Sequence, residues 1–189
     1  DEILNSKNTH NNYPVPTAFI AKLNASGNVS WARMAQHPDN DLFYYRAQAN
    51  VIKSDQKGHV YTSGYYYNSV SFGNYELSTN LDPPYSRGIF LTCYDTTGSV
   101  MWAHAANDAG SSGWPVYSMG TDDKGNCYMG GQTRDSVLFD NGDKLPGKEK
   151  GNLLAKYDSE GNLLWASLNS DLDNFSDIFT ITAYGNNEL

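Results

Sequence analysis

The feature that most constrains this chain is a pattern that returns. AFIAKLNASGNVSWARMA from Ala18 aligns with IFLTCYDTTGSVMWAHAA from Ile89 and with NLLAKYDSEGNLLWASLN from Asn152. Gly27, Gly98 and Gly161 coincide, as do Trp31, Trp102 and Trp165, each followed by alanine. The offset from the first copy to the second is the same at the glycine as at the tryptophan, and so is the offset from the second to the third. Self-similarity that holds at both anchors marks units that cannot close a core alone and must stack on neighbours.

A second module lies between these copies. SDQKGHVYTSGYYYNSVSFGNYEL from Ser54 matches TDDKGNCYMGGQTRDSVLFDNGDKL from Thr121, with one common offset carrying Gly58 to Gly125, Gly64 to Gly131 and Phe72 to Phe139. A further lead-in, IFTITAYGNNEL, begins at Ile178.

Each module reads as β-strands. Phe19, Ala21 and Leu23, then Val29 and Trp31, alternate with period two. Between such runs stand Asn-Ala-Ser-Gly, Asp-Thr-Thr-Gly and Asp-Ser-Glu-Gly. In these the Asx side chain can bond the backbone ahead of it and the glycine supplies a positive φ, which is hairpin chemistry. No stretch carries a helical stripe with a capping box. The pattern predicts two strands over 18–36 and four-stranded antiparallel meanders over 47–107 and 114–170. Each meander carries an extra hairpin, near 70–77 and 137–145, and a new unit starts at about 176–189.

These residues resemble the SBBP-type β-propeller repeat of bacterial secreted and cell-surface proteins. The resemblance rests on Asp122, Gly125, Tyr128, Gly131 and Phe139, then Ala155, Lys156, Tyr157, Asp158, Gly161 and Trp165, and it recurs in register from about residue 18. The diglycine often seen after the Trp strand is missing, replaced by Gln36-His37-Pro38 and Asn107-Asp108-Ala109. The resemblance implies an all-β chain of about three blade-equivalents, 1–36 ending one blade and 176–189 starting another. The array would be part of a larger propeller, completed by a longer chain or by other copies.

Composition narrows the functions. A net charge of −8 with no basic cluster disfavours nucleic acid and anionic lipid. No apolar run is long enough for a membrane helix. The opening DEILNSKNTH lacks the basic-then-apolar order of a secretory leader, so none is expected within it. The two cysteines, Cys93 and Cys127, fall in dissimilar slots of the repeat and are not expected to pair.

Catalytic motifs are absent from the sequence: no GxSxG, no HExxH and no P-loop. Short acidic runs occur at Asp39-Asn40-Asp41, at Asp140-Asn141-Gly142-Asp143 and at Asp171-Leu172-Asp173-Asn174, but none continues into a calcium loop with a distal glutamate. No metal, cofactor or enzymatic activity is therefore expected.

The candidate binding residues are those that depart from the repeat. Tyr65, Tyr66 and Tyr67 stand where the next unit has Gln132, Thr133 and Arg134. Strand alternation lets only some of the triplet face outward. Phe43, Tyr44 and Tyr45 sit in an insertion, since the stretch from Trp31 to Gly58 is longer than the matching stretch from Trp102 to Gly125. Trp114 occupies the corresponding connection. Aromatic rim loops suit contact with a protein or glycan. The expectation is a non-catalytic binding or scaffold module at a bacterial surface or outside the cell. The alternatives are an accessory region of a larger secreted enzyme acting on polysaccharide, and a catalytic propeller whose acids converge on its axis.

Overall fold

The computed structural model describes residues 9–10, 13–14, 17–37, 46–79, 87–108, 116–133, 136–147, 151–169 and 180–182. These residues are all β, with antiparallel pairing throughout and no helix. The first pair is minimal, β1 (Thr9–His10) with β2 (Tyr13–Pro14). β3 (Phe19–Leu23) then pairs with β4 (Val29–Met34).

The next stretch gives β5 (Ala47–Ser54), β6 (Val60–Tyr67), a small hairpin of β7 (Ser69–Phe72) and β8 (Tyr75–Ser78), then β9 (Arg87–Tyr94) and β10 (Val100–Asp108). The last stretch repeats that plan as β11 (Val116–Thr121), β12 (Cys127–Thr133), the hairpin β13 (Val137–Phe139) with β14 (Lys144–Leu145), β15 (Gly151–Tyr157) and β16 (Leu163–Asn169).

Pairing departs from the expected plan at one point. β11-β12-β15-β16 form a four-stranded sheet, but the other sheet has six strands, in the order β14-β13-β10-β9-β6-β5. The hairpin β13–β14, expected to belong to its own unit, pairs with β10 of the preceding one, Asn107 facing Leu138. The earlier hairpin does the same. Gln36 N–H donates to the Ser71 carbonyl at 2.8 Å, and Ser71 N–H to the Gln36 carbonyl at 2.7 Å. Gln36 aligns with Asn107 and Ser71 with Leu138, so both bridges use the same repeat positions. The described sheets do not close into a barrel or ring.

The turns explain why the strands end where they do. In 95–99, the Asp95 carboxylate accepts from the N–H groups of Thr97 (2.8 Å) and Ser99 (2.9 Å), while Gly98 N–H closes on the Asp95 carbonyl at 3.1 Å. Gly98 sits at φ 80°, in the left-handed region where only glycine is unstrained. The same arrangement recurs around Asn24, Asp55, Asp122 and Asp158. Register slips beside the β3–β4, β9–β10 and β15–β16 turns are the bulges such loops leave behind.

The largest core cluster joins the two sheets. Tyr61, Leu91, Cys93 and Trp102 pack with Met119, Cys127, Met129, Leu153 and Tyr157. A second cluster, including Ala18, Ala35, Tyr66, Val70, Phe72 and Phe90, joins the β3–β4 end to the six-stranded sheet. Equivalent positions also meet across the inner strands. Lys57 Nζ donates to the Lys124 carbonyl (3.1 Å) and Thr121 Oγ1 to the Ser54 carbonyl (3.2 Å); beside them Tyr61 Oη donates to the carbonyl of Gly125, in the turn equivalent to its own (2.9 Å).

Candidate functional site

The tyrosine triplet divides as strand alternation requires. Tyr66 points inward and is fully buried, its hydroxyl donating to Asn107 Oδ1 at 3.1 Å. Asn107 Nδ2 in turn donates to the Ser78 carbonyl at 3.0 Å, tying β6 and β10 to the β8 edge. Burial raises the Tyr66 phenol well above its ordinary pKa, so it stays a neutral donor. Its role is structural.

Tyr65 and Tyr67 take the other face and are half-buried. Their rings meet edge to face, with centroids 5.9 Å apart. Arg87 enters from β9, directly opposite Tyr67 in register. Its guanidinium carbon lies 3.8 Å from the Tyr65 ring centroid and 5.8 Å from that of Tyr67. The Tyr65 hydroxyl donates to Gln48 Oε1 at 2.7 Å, which fixes the ring. Arg87 Nε is buried with no hydrogen-bond partner among the described residues. The result is a cation held on two aromatic faces, an arrangement suited to a planar polar or sugar-like contact.

Sequence reading missed Arg87 and Gln48. Neither is unusual in type, and only the strand register, Gln48 opposite Tyr65 and Arg87 opposite Tyr67, brings them to the triplet. Phe43, Tyr44, Tyr45 and Trp114 lie outside the described residues, as do Asp39-Asn40-Asp41 and Asp171-Leu172-Asp173-Asn174.

The turn aspartates are held within the scaffold. Asp122 accepts from Lys124 N–H (3.0 Å), Asn126 N–H (2.8 Å), Asn126 Nδ2 (2.7 Å) and Tyr128 Oη (3.0 Å). Burial by itself raises its carboxyl, but the hydrogen bonds from Asn126, Tyr128 and Lys124 outweigh that and hold it below the usual carboxylate range. Asp158 is lowered for the same reasons, burial opposing and Asn162 leading the hydrogen bonds, and Asp95 is lowered chiefly by Thr97. Acids tuned this way stay ionised at neutral pH, unlike the raised carboxyl a general acid needs.

His104 Nδ1 meets Asp140 Oδ2 at 2.9 Å beside a cleft of 660 Å³ lined by Tyr75, Glu76, Asn107, Leu138 and Asp140. No cluster of three or more His, Cys, Asp or Glu that could hold a metal occurs among the described residues. Cys93 and Cys127 are free and buried, and burial pushes the Cys93 thiol up to about 12 and the Cys127 thiol well up, which leaves both unreactive. No helix among the described residues is long and apolar enough to cross a membrane. No family model matches the chain, and no curated protein is significantly similar to it in sequence.

Proposed function

We propose that this chain is a non-catalytic binding module built from consecutive blades of an SBBP-type β-propeller, and that it acts at a bacterial surface or outside the cell. Two kinds of regularity support the blade reading. Each small hairpin adds to the outer strand of the unit before it, and contacts between units join positions one repeat apart, such as Lys57 with Lys124. One operation carried from unit to unit gives that result, as in a radial array.

The observation that carries the binding reading is the cluster of Tyr65, Arg87 and Tyr67. Blade construction does not need it, because the same strand position in the next unit is Gln132, which is buried. Tyr65 and Tyr67 instead expose aromatic surface around an arginine with no carboxylate partner among the described residues. Rigid aromatics with a guanidinium are the groups that dominate recognition of proteins and glycans.

The test is a glycan array, together with defined surface-protein fractions, probed with the wild type and with a Tyr65→Ala/Tyr67→Ala double variant. The expected result is retention by one ligand class that the double variant loses at least about tenfold while keeping its β-sheet circular dichroism. Equal retention of both proteins, or silence of the folded wild type throughout, removes this reading.

A further inference from the structure

The three copies of the Trp hairpin are not equally covered. Trp31 and Trp102 are 6% and 5% exposed, whereas Trp165 is 39% exposed. Each covered tryptophan reaches the next copy's turn in the same way. Trp31 Nε1–H donates to the Thr96 carbonyl and Trp102 Nε1–H to the Ser159 carbonyl, both at 3.1 Å. Trp31 stacks on Tyr94 with centroids 6.2 Å apart and planes at 21°, and Trp102 on Tyr157 at 6.3 Å and 20°. The turn glycine lies beneath the ring. A Cβ on Gly98 would stand 2.6 Å from Trp31, and one on Gly161 2.8 Å from Trp102.

The first copy offers the receiving half of this contact with no described residue on it. A Cβ on Gly27 would meet no described atom within 4 Å. Leu23, which aligns with Tyr94 and Tyr157, is 56% exposed where those two are 3% and 2%. Val29, across the same turn, is 58% exposed. Among the three described Trp hairpins, one therefore carries a tryptophan without a turn on it and one a turn without a tryptophan, and the molecule shows twice how the two fit.

We propose that Trp165 of one copy docks on the turn 24–27 of a second copy, so that copies associate head to tail. The contact reproduces the two internal ones. The Trp165 indole N–H donates to the Ala25 carbonyl, its ring covers Gly27, and Leu23 takes the place of the stacked tyrosine. Because the two surfaces differ, the interface is heterologous, and association runs on until a ring closes or an open polymer grows. This inference uses a surface separate from Tyr65 and Arg87 and stands whether or not those residues bind a ligand.

Two single variants and their mixture test it. Trp165→Ala removes the donating half, and Leu23→Asp charges an exposed position on the receiving half. Sedimentation of the wild type at about 100 µM, where even micromolar contacts fill, is expected to show species heavier than the 20.9 kDa chain. Each variant alone is expected to weaken association at least about tenfold. Mixing them leaves one intact half on each partner and is expected to yield capped one-to-one pairs. A wild type that stays monomeric overturns the proposal. So does association that survives both substitutions, or a mixture that stays monomeric while each variant keeps its β-sheet circular dichroism.

Discussion

β6 and β12 hold the same place in consecutive units, pair with equivalent neighbours and end in different chemistry. Both begin with a turn aspartate that gathers the following backbone N–H groups, and both place a tyrosine, Tyr61 or Tyr128, on that carboxylate. Their far ends diverge. β12 is buried along its whole length, with Gln132 and Thr133 at its end, whereas β6 closes on Tyr65, Tyr66 and Tyr67, of which only Tyr66 is fully buried. The near end of the strand is thus committed to the scaffold, and the far end is where a unit can differ without unfolding.

The partners of the turn aspartate sharpen the contrast. In the later unit Lys156 is buried, with its Nζ 3.9 Å from Asp122 and 4.8 Å from the Tyr128 ring centroid. In the earlier unit the lysine slot holds Cys93, and Asp55 Oδ2 meets the His59 ring at Nδ1, 2.8 Å away. The same loop is supported by two different sets of neighbours, so it is the turn that specifies the unit, more than any one partner.

The largest effect that can break this comparison is expected at Tyr66. Tyr66→Ala empties a fully buried site and strands Asn107, and it is expected to cost about 3–5 kcal/mol in urea unfolding, against about 1 kcal/mol for Thr133→Ala at the aligned position. Equal costs would mean that the two strand ends are not differently used.

Asp122→Ala comes next, leaving four donors without their acceptor and costing about 2–3 kcal/mol. Its carboxyl is lowered in the folded state, so its stabilisation is complete above the unfolded pKa of about 4 and is lost as pH falls through the lower folded value. Stability of the wild type should therefore hold from neutral pH down to about 4 and fall below it, with a shallower acid limb for Asp122→Asn. An unchanged limb would show that the turn acids do not govern acid unfolding.

The smallest effect on stability is expected at Tyr65 and Arg87. Arg87→Ala should change unfolding by less than about 1 kcal/mol, because its contact is a half-exposed cation on an aromatic face. A loss several times larger would make this cluster part of the scaffold.

Much of the fold was legible in the sequence because turns and periodicity are local. Asx and glycine at fixed spacing, with alternating strands between them, place β3 and β4, β9 and β10, and β15 and β16 without reference to anything distant. The crossing of β13 to β10 was not legible, since it joins separate units through backbone groups that any sequence carries. The candidate site divides the same way. Period two announces that the triplet divides between two faces, but which member turns in depends on where the core lies, and Arg87 reaches Tyr65 only through strand register. The exposure of Trp165 was hidden for the opposite reason: it carries the same glycine and Trp-Ala anchors as the covered copies, and its neighbours differ.

The crossed hairpins bear on how the chain is made. Until Phe139 has emerged from the ribosome, the outer edge of β10 presents unpaired amides and carbonyls to any passing strand. The outer edge of that unit is therefore completed only when the following one delivers its hairpin. Synthesis passes through a vulnerable interval at this point, when edge-to-edge aggregation competes with the arrival of the next segment.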